Sequence, residues 1–323
     1  MTMQDRRKGA LYGQAIGDAL GAFYEFSGNL GPGESARYRS SRNDGFLEGE
    51  WTDDTEQAFI LLRAFTEEPE DQDLAALILA EGLQNWLHND GRGCGNHTAK
   101  VLTDGVYGIA PLVVSEDVWV QSGKESAPNG GVMRAVGVPV VRPWDPAWVI
   151  QAATLGCQVT HWDPRCVASA VAVSVACAAL IRGEGIPSAV QQGIDAGKAI
   201  EPGIAEYLTM SLDKLQLRGP GIGYTYKCAG SGFWALREFQ REAAEVEEMT
   251  PPGNSAEENW GLQFESILND IIREQGDTDT NAAVAGAVMG SYIGFENLPK
   301  HLVEGLQNKG TLDALLATLP EAP

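Results

Sequence analysis

Gly9-Ala10-Leu11-Tyr12-Gly13-Gln14-Ala15-Ile16-Gly17-Asp18-Ala19-Leu20-Gly21 carries a glycine at every fourth position, and Ala282, Gly286, Gly290 and Gly294 repeat that spacing near the other end of the chain. Residues four apart share one face of an α-helix, so each set makes a stripe without side chains. A glycine destabilises a helix interior by roughly 1 kcal/mol relative to alanine, and close approach of a neighbouring helix is the usual compensation for several in a row. The stripes are therefore expected to pack, against each other or against a common neighbour. If they do, the two ends of the chain share one core.

Outward from these stripes, helix-length segments recur over 5–24, 54–66, 72–88, 96–105, 145–159, 164–182, 187–198, 201–214, 226–246, 258–274 and 280–293, and no series of alternating strand-like runs competes with them. In 72–88, Leu74, Leu77, Ile78, Leu83 and Trp86 follow the helical period, with Asp71 and Asp73 at the positive end of the dipole. The expectation is an all-α fold, in one large domain or two ordinary ones. Loop 27–50, rich in Gly, Ser and Arg, has the length of an active-site lid, and Arg37, Arg39 and Arg42 in it are expected to form a solvated face, with a grip on phosphate or on a partner protein as the alternatives. A second loop, 247–257, is acidic and contains Pro251 and Pro252.

The 44 Asp and Glu residues against 23 Lys and Arg give a formal charge of −21, so non-specific binding to a polyanionic nucleic acid is disfavoured. A small anionic ligand is still admissible, because local amides outweigh distant charge beyond a Debye length of about 8–10 Å. Five cysteines without a C-x-x-C pair, and no apolar leader, point to a reducing cytoplasm. The apolar run from Cys166 to Ile181 reads as a core helix rather than a membrane span, which needs about 20 apolar residues.

Two acidic clusters stand at helix starts. Thr52-Asp53-Asp54 precedes an apolar helix, and Asp277-Thr278-Asp279-Thr280-Asn281 precedes Ala282-Ala283-Val284. One carboxylate suffices for a helix cap, and Asp53 with Glu56 fits a capping-box variant. The surplus carboxylates repel one another unless a cation neutralises them. Oxygen ligands from Asp and Thr suit Mg²⁺, Mn²⁺ or Ca²⁺, and four carboxylates can hold two ions about 3.5–4 Å apart, an arrangement that favours hydrolysis.

With these clusters in place the chain resembles the ADP-ribosylglycohydrolase family from about Gly9 to Gly294. The motifs run in order: Gly17-Asp18-Ala19-Leu20-Gly21 with Glu25-Phe26, Trp51-Thr52-Asp53-Asp54-Thr55, Asn129-Gly130-Gly131-Val132-Met133-Arg134, Thr160-His161-Trp162-Asp163-Pro164, and Gly276-Asp277-Thr278-Asp279-Thr280-Asn281. The resemblance implies one compact all-α orthogonal helical bundle over 1–323, a hydrolase with two Mg²⁺ or Mn²⁺ ions, acting on ADP-ribosylated protein and releasing ADP-ribose. It implies Thr52, Asp53, Asp54, Asp277, Asp279 and Thr280 as metal ligands, and Glu25 or Asp54 as the catalytic carboxylate. It further implies Asn129, Gly130, Gly131, Met133 and His161 beside the ligand, with Tyr224 near the adenine.

The chain departs from the arginine-directed relatives at Gly93, where they carry an Asp that positions the leaving guanidinium; Asp90 is the nearest substitute in sequence. Gly131 stands where relatives often have Ala or Ser, and Gln275 where Gly is frequent. Arginine is the first expectation for the linkage, with serine, O-acetyl-ADP-ribose or a nucleobase as alternatives. Binding of ADP-ribose, or of an ADP-ribosylating toxin, without turnover is the reading from another class.

Overall fold

The computed structural model describes residues 1–26, 29–41, 44–249 and 259–322. Among them the chain forms sixteen α-helices and no strand; Pro128 and Tyr224 make an isolated bridge. In chain order these are α1 (Met3–Gly21), α2 (Asp53–Glu67), α3 (Gln72–Asn89), α4 (Asn96–Leu102), α5 (Pro111–Gln121), α6 (Gly137–Val141), α7 (Pro146–Gln158) and α8 (Pro164–Ile181). The second half supplies α9 (Ile186–Ile200), α10 (Ile204–Thr209), α11 (Leu212–Leu215), α12 (Thr225–Met249), α13 (Trp260–Arg273), α14 (Thr278–Ile293), α15 (Lys300–Gly305) and α16 (Lys309–Leu316).

The glycine stripes face each other. A Cβ at Gly9 would stand 2.3 Å from the carbonyl oxygen of Gly290, one at Gly13 2.2 Å from that of Gly286, and one at Gly17 2.0 Å from that of Ala282. The order of partners makes α1 and α14 antiparallel, backbone against backbone. The C-terminal end of α1 therefore meets the N-terminal end of α14, where Thr278 donates through Oγ1 to the Gly21 carbonyl at 2.9 Å. α8 is long and apolar enough to cross a membrane by composition alone, yet 89% of it is buried within the fold.

The expected helices form with three kinds of revision. The first ends at Gly21 because the chain turns there, and Phe26 adopts a left-handed φ of 53° while donating its N–H to the Gly276 carbonyl. The 201–214 segment is two short helices, α10 and α11, separated by an extended Met210. Helices α5, α6, α15 and α16 had no sequence signal: three have eight residues or fewer, and α5 exposes Val113 and Val120, which blurs its apolar face.

The described part of the 27–50 loop is fastened to the rest of the fold along its length. Asn269 Oδ1 accepts from the Ala36 N–H at 2.7 Å, Arg273 donates to the Glu34 carbonyl at 2.7 Å and Tyr38 to that of Leu302 at 3.0 Å. Further on, Gln307 donates to the carbonyls of Glu48 and Gly49. The guanidinium of Arg39 lies over the Phe23 ring, and neither Arg37 nor Arg39 lines the cleft described below; Arg42 lies outside the described residues. Residues 247–249 of the expected acidic loop are still helix, and 250–257 lie outside the described residues.

Candidate active site

Asp18 is the only carboxylate inside the α1 stripe, and it is fully buried. It accepts from the Thr52 N–H at 2.9 Å, Thr52 Oγ1 at 2.8 Å, the Thr55 N–H at 3.1 Å and Thr55 Oγ1 at 2.6 Å. In a capping box the amides of the N-cap and of the third helical residue are satisfied by side chains of the helix itself. Here one carboxylate from α1 satisfies both, and Thr52 makes no side-chain cap bond. The capping reading of Asp53 and Asp54 therefore falls. Asp277 occupies the N-cap position of α14 and makes no side-chain cap bond either.

The released carboxylates converge. Glu25, Asp277 and Asp279 each offer an oxygen within 4.8 Å of the others. Together with Thr52, Asp53, Asp54 and Thr280 they line one cleft of about 760 Å³. Among the described residues its lining carries six carboxylates, Glu25, Asp44, Asp53, Asp54, Asp277 and Asp279, and one guanidinium, that of Arg92. Arg92 is already paired with Asp90 at 2.7 Å and Glu50 at 2.8 Å.

Burial pushes the Glu25 carboxyl up to about 8, helped by Asp277 and Asp44. Asp53, Asp54 and Asp279 are raised well above the ordinary carboxylate range, first by burial and then by one another and their acidic neighbours. Asp18 is pushed up to about 6 by burial, against the opposing hydrogen bonds from Thr55 and Thr52.

Two observations fit divalent cations. Asp54 Oδ1 is buried without a hydrogen-bond partner. Thr52 Oγ1 lies 2.8 Å from Asp18 and 3.0 Å from Asp54 Oδ2, but has one proton, which the shorter contact assigns to Asp18. Thr52 and Asp54 then present lone pairs side by side, as two oxygens do when they share a cation with bonds of about 2.1 Å.

The surrounding contacts fix these groups in place. Buried Arg134 donates to Gln57 Oε1 at 3.1 Å, which sets the amide so that Gln57 Nε2 donates to Asp53 Oδ2 at 3.2 Å. Asn129 Nδ2 donates to Asp277 Oδ2 at 2.9 Å. Arg134 also donates to Thr160 Oγ1, so the Thr160 proton is free to go to His161 Nδ1 at 2.7 Å. His161 is thereby the Nε2–H tautomer, its Nε2 buried and unpartnered and its ring part of the cleft wall. Burial, with His97 and Arg134 nearby, holds it neutral.

Eleven of the thirteen expected site residues, Glu25, Thr52, Asp53, Asp54, Asn129, Gly130, Met133, His161, Asp277, Asp279 and Thr280, line the cleft. Gly131 does not: its Cα faces Cys157 Sγ and the His161 Cβ, where a Cβ would stand 2.6 Å from the sulfur, so size excludes the Ala or Ser of relatives. Tyr224 does not line it either. Its half-buried ring packs against Tyr207 and Tyr226.

Asp90 is held in the pair with Arg92 and is not part of the lining. A side chain at 93 would be strained, since Gly93 has φ 79°, and its Cβ, 2.4 Å from Asp53 Oδ1, would displace the Asp53 carboxylate. Gln275 has φ 61°, the left-handed conformation that explains the frequent glycine at this place. Sequence reasoning missed Asp18, Asp44, Arg92 and His97. Only Asp18 had a signal, a charge inside a buried small-residue stripe.

The description ADP-ribosylglycohydrolase belongs to the family model that matches residues 1–322. The chain belongs to the ADP-ribosylglycohydrolase family. It is 24% identical to the ADP-ribosyl-[dinitrogen reductase] glycohydrolase of Rhodospirillum rubrum, over 98% of this chain and 97% of the relative. To ADP-ribosylhydrolase ARH3 of Xenopus tropicalis it is 27% identical, over 91% and 89%. An uncharacterized protein of Archaeoglobus fulgidus is 26% identical over 99% and 97%. The fold matches a solved ADP-ribosylglycohydrolase-related protein complex with a TM-score of 0.71 at 21% identity, covering 98% of this chain and 97% of that one. This ADP-ribosylglycohydrolase is accordingly a hydrolase with an acidic group suited to metal.

A stability prediction follows from the raised carboxyls. Without metal, folded Glu25 keeps its proton up to about 8, whereas its ordinary value is 4.5. Between those values the folded state binds more protons than the unfolded chain, so metal-free stability falls as pH rises towards about 8. The chelated protein should melt at least about 5 °C lower at pH 8.5 than at pH 6. Mn²⁺ at 100 times its dissociation constant should add about 2.7 kcal/mol per site, with the larger gain in melting temperature at the higher pH. A chelated protein that melts higher at pH 8.5 would contradict the buried cluster.

Proposed function

We propose that the cleft hydrolyses the glycosidic bond between ADP-ribose and a protein side chain, with arginine as the linkage, and that Thr52, Asp53, Asp54, Asp277, Asp279 and Thr280 hold a pair of Mg²⁺ or Mn²⁺ ions. The observation that carries this reading is the gathering of six carboxylates around one cleft where, among the described residues, the one guanidinium is already paired. When bound, such ions polarise a ribose oxygen and acidify a water.

The chain's own residues do the rest. Glu25, held between Asp277 and Asp279 at the cleft wall, is the proposed acid–base group, with Asp54 as the other candidate. The Nε2–H of His161 supplies a fixed donor to an acceptor on the ligand, and Gly130 lets the ligand approach: a Cβ there would stand 2.9 Å from the imidazole. Neutral His161 offers this donor without adding charge.

Asp44 replaces the carboxylate that the relatives carry at the position of Gly93. It lines the cleft, acts on Glu25 through its charge, and meets no cation among the described residues. It is suited to receive the leaving guanidinium. A charge-assisted contact of this kind at a partly exposed position is worth about 1.4 kcal/mol, or tenfold.

The test is release of ADP-ribose from ADP-ribosyl-arginine and ADP-ribosyl-serine peptides with Mg²⁺ or Mn²⁺, with and without chelator. Turnover of the arginine substrate that chelator abolishes is expected. Tight, metal-dependent ADP-ribose binding without release from either peptide would identify a binding protein instead. Asp44→Asn should lower kcat/KM for the arginine peptide about tenfold and that for the serine peptide less than threefold. An equal loss on both would remove Asp44 from leaving-group recognition.

A further inference from the structure

We infer that Asp18 is the positioning residue of the metal site: by capping α2 from the neighbouring helix it keeps Thr52, Asp53 and Asp54 free to act as ligands. The inference rests on the proposed metal reading of those three residues. A helix start leaves several amides without partners, and an Asp or Thr at that place is the commonest group to take them. The first turn of α2 offers Thr52, Asp53 and Asp54 for that task. None of them takes the Thr52 or Thr55 amide, because both Asp18 oxygens are already there. Oδ1 lies 2.9 Å from the Thr52 N–H and 2.8 Å from its hydroxyl, and Oδ2 lies 3.1 Å from the Thr55 N–H and 2.6 Å from its hydroxyl.

Two consequences reach the cleft. The Thr52 proton points to Asp18, which leaves the lone pairs of Oγ1 beside Asp54 Oδ2 at 3.0 Å. Asp54 Oδ1, buried and without a partner, is the atom that the α2 amides would capture if Asp18 were lost. α1 also carries Gly21, packed on the backbone of Thr278 and Asp279. One helix thus sets the position of both acidic clusters, through Asp18 for the first and Gly21 for the second.

The experiment compares Mn²⁺ affinity by titration calorimetry and electron paramagnetic resonance in wild type, Asp18→Ala and Asp18→Asn, well below each melting temperature. Leu268→Ala, a cavity in buried α13, serves as a control destabilised without contact to the site. Groups that orient metal ligands typically contribute 10–100-fold to affinity, so Mn²⁺ binding should weaken by at least about tenfold in both Asp18 variants, with far-UV circular dichroism retained and the control unchanged. Asn should not rescue, since its NH₂ would face N–H and O–H donors. Wild-type affinity in the Asp18 variants, or an equal loss in the control, overturns the inference. Failure of the wild type to bind Mn²⁺ overturns the metal reading itself. Should the Asp18 variants not fold, Thr55→Val decides: it deletes one anchor without touching a carboxylate, and an unchanged affinity counts against the inference.

Discussion

Asp54→Asn is expected to cut ADP-ribose release by roughly 10³-fold while leaving the protein folded, because a metal ion contributes several kcal/mol to the transition state and each 1.36 kcal/mol is about a factor of ten. Asn has the size of Asp, and Oδ1 makes no hydrogen bond that the change would break. The substitution also removes one charge from a buried cluster in which burial, and then Asp18, Asp53 and Asp277, raise the Asp54 carboxyl. The metal-free variant should therefore melt at the wild-type temperature or above it, and Mn²⁺ should raise its melting temperature less than that of the wild type. Turnover and two melting curves check the three statements together. Unimpaired release would remove Asp54 from the chemistry, and a melting temperature well below wild type would mean that the carboxylate is structural.

Gly17→Ala is the second large effect, and its sign separates two physical arguments. Helix propensity alone says that alanine stabilises α1 by about 1 kcal/mol. The tertiary structure says the reverse, because the new Cβ would stand 2.0 Å from the Ala282 carbonyl oxygen and 2.9 Å from the Ala283 nitrogen. Both are backbone atoms and cannot turn aside as a side chain can. Overpacking of this kind costs about 3 kcal/mol or more. Separating α1 from α14 would also separate the acidic clusters, so metal affinity should fall with stability. Gly310→Ala in α16 is the control: nothing lies within 4 Å of its Cβ, and it should be neutral or stabilising by up to about 1 kcal/mol. Equal denaturation midpoints for the two variants would refute the close-packed interface.

The all-α class, the spans of the long helices and the two acidic clusters were legible because each is a local pattern. A period of 3.6 residues, a glycine every fourth position and a doubled aspartate at a helix start can be read along the chain without knowing what lies opposite. Short helices such as α6 and α15 were not legible, since five or six residues hold less than two turns of pattern. Tyr224 shows the limit for a single residue: its sequence context is the same whether its ring lines a cleft or packs on Tyr207.

What the sequence alone determined was the choice of residues, namely which carboxylates exceed the needs of capping and which glycines exceed the needs of turns. Which partners those residues meet was decided only by the tertiary structure. Glycine stripes fix that two helices can approach but not which two, and the antiparallel docking of α1 on α14 then sets the distance between clusters more than two hundred residues apart in sequence. That Asp18 rather than Asp53 caps α2, and that Glu50 holds Arg92 while Asp44 lines the cleft, are contacts between segments distant in sequence. They depend on which backbones touch, and no local spacing encodes that.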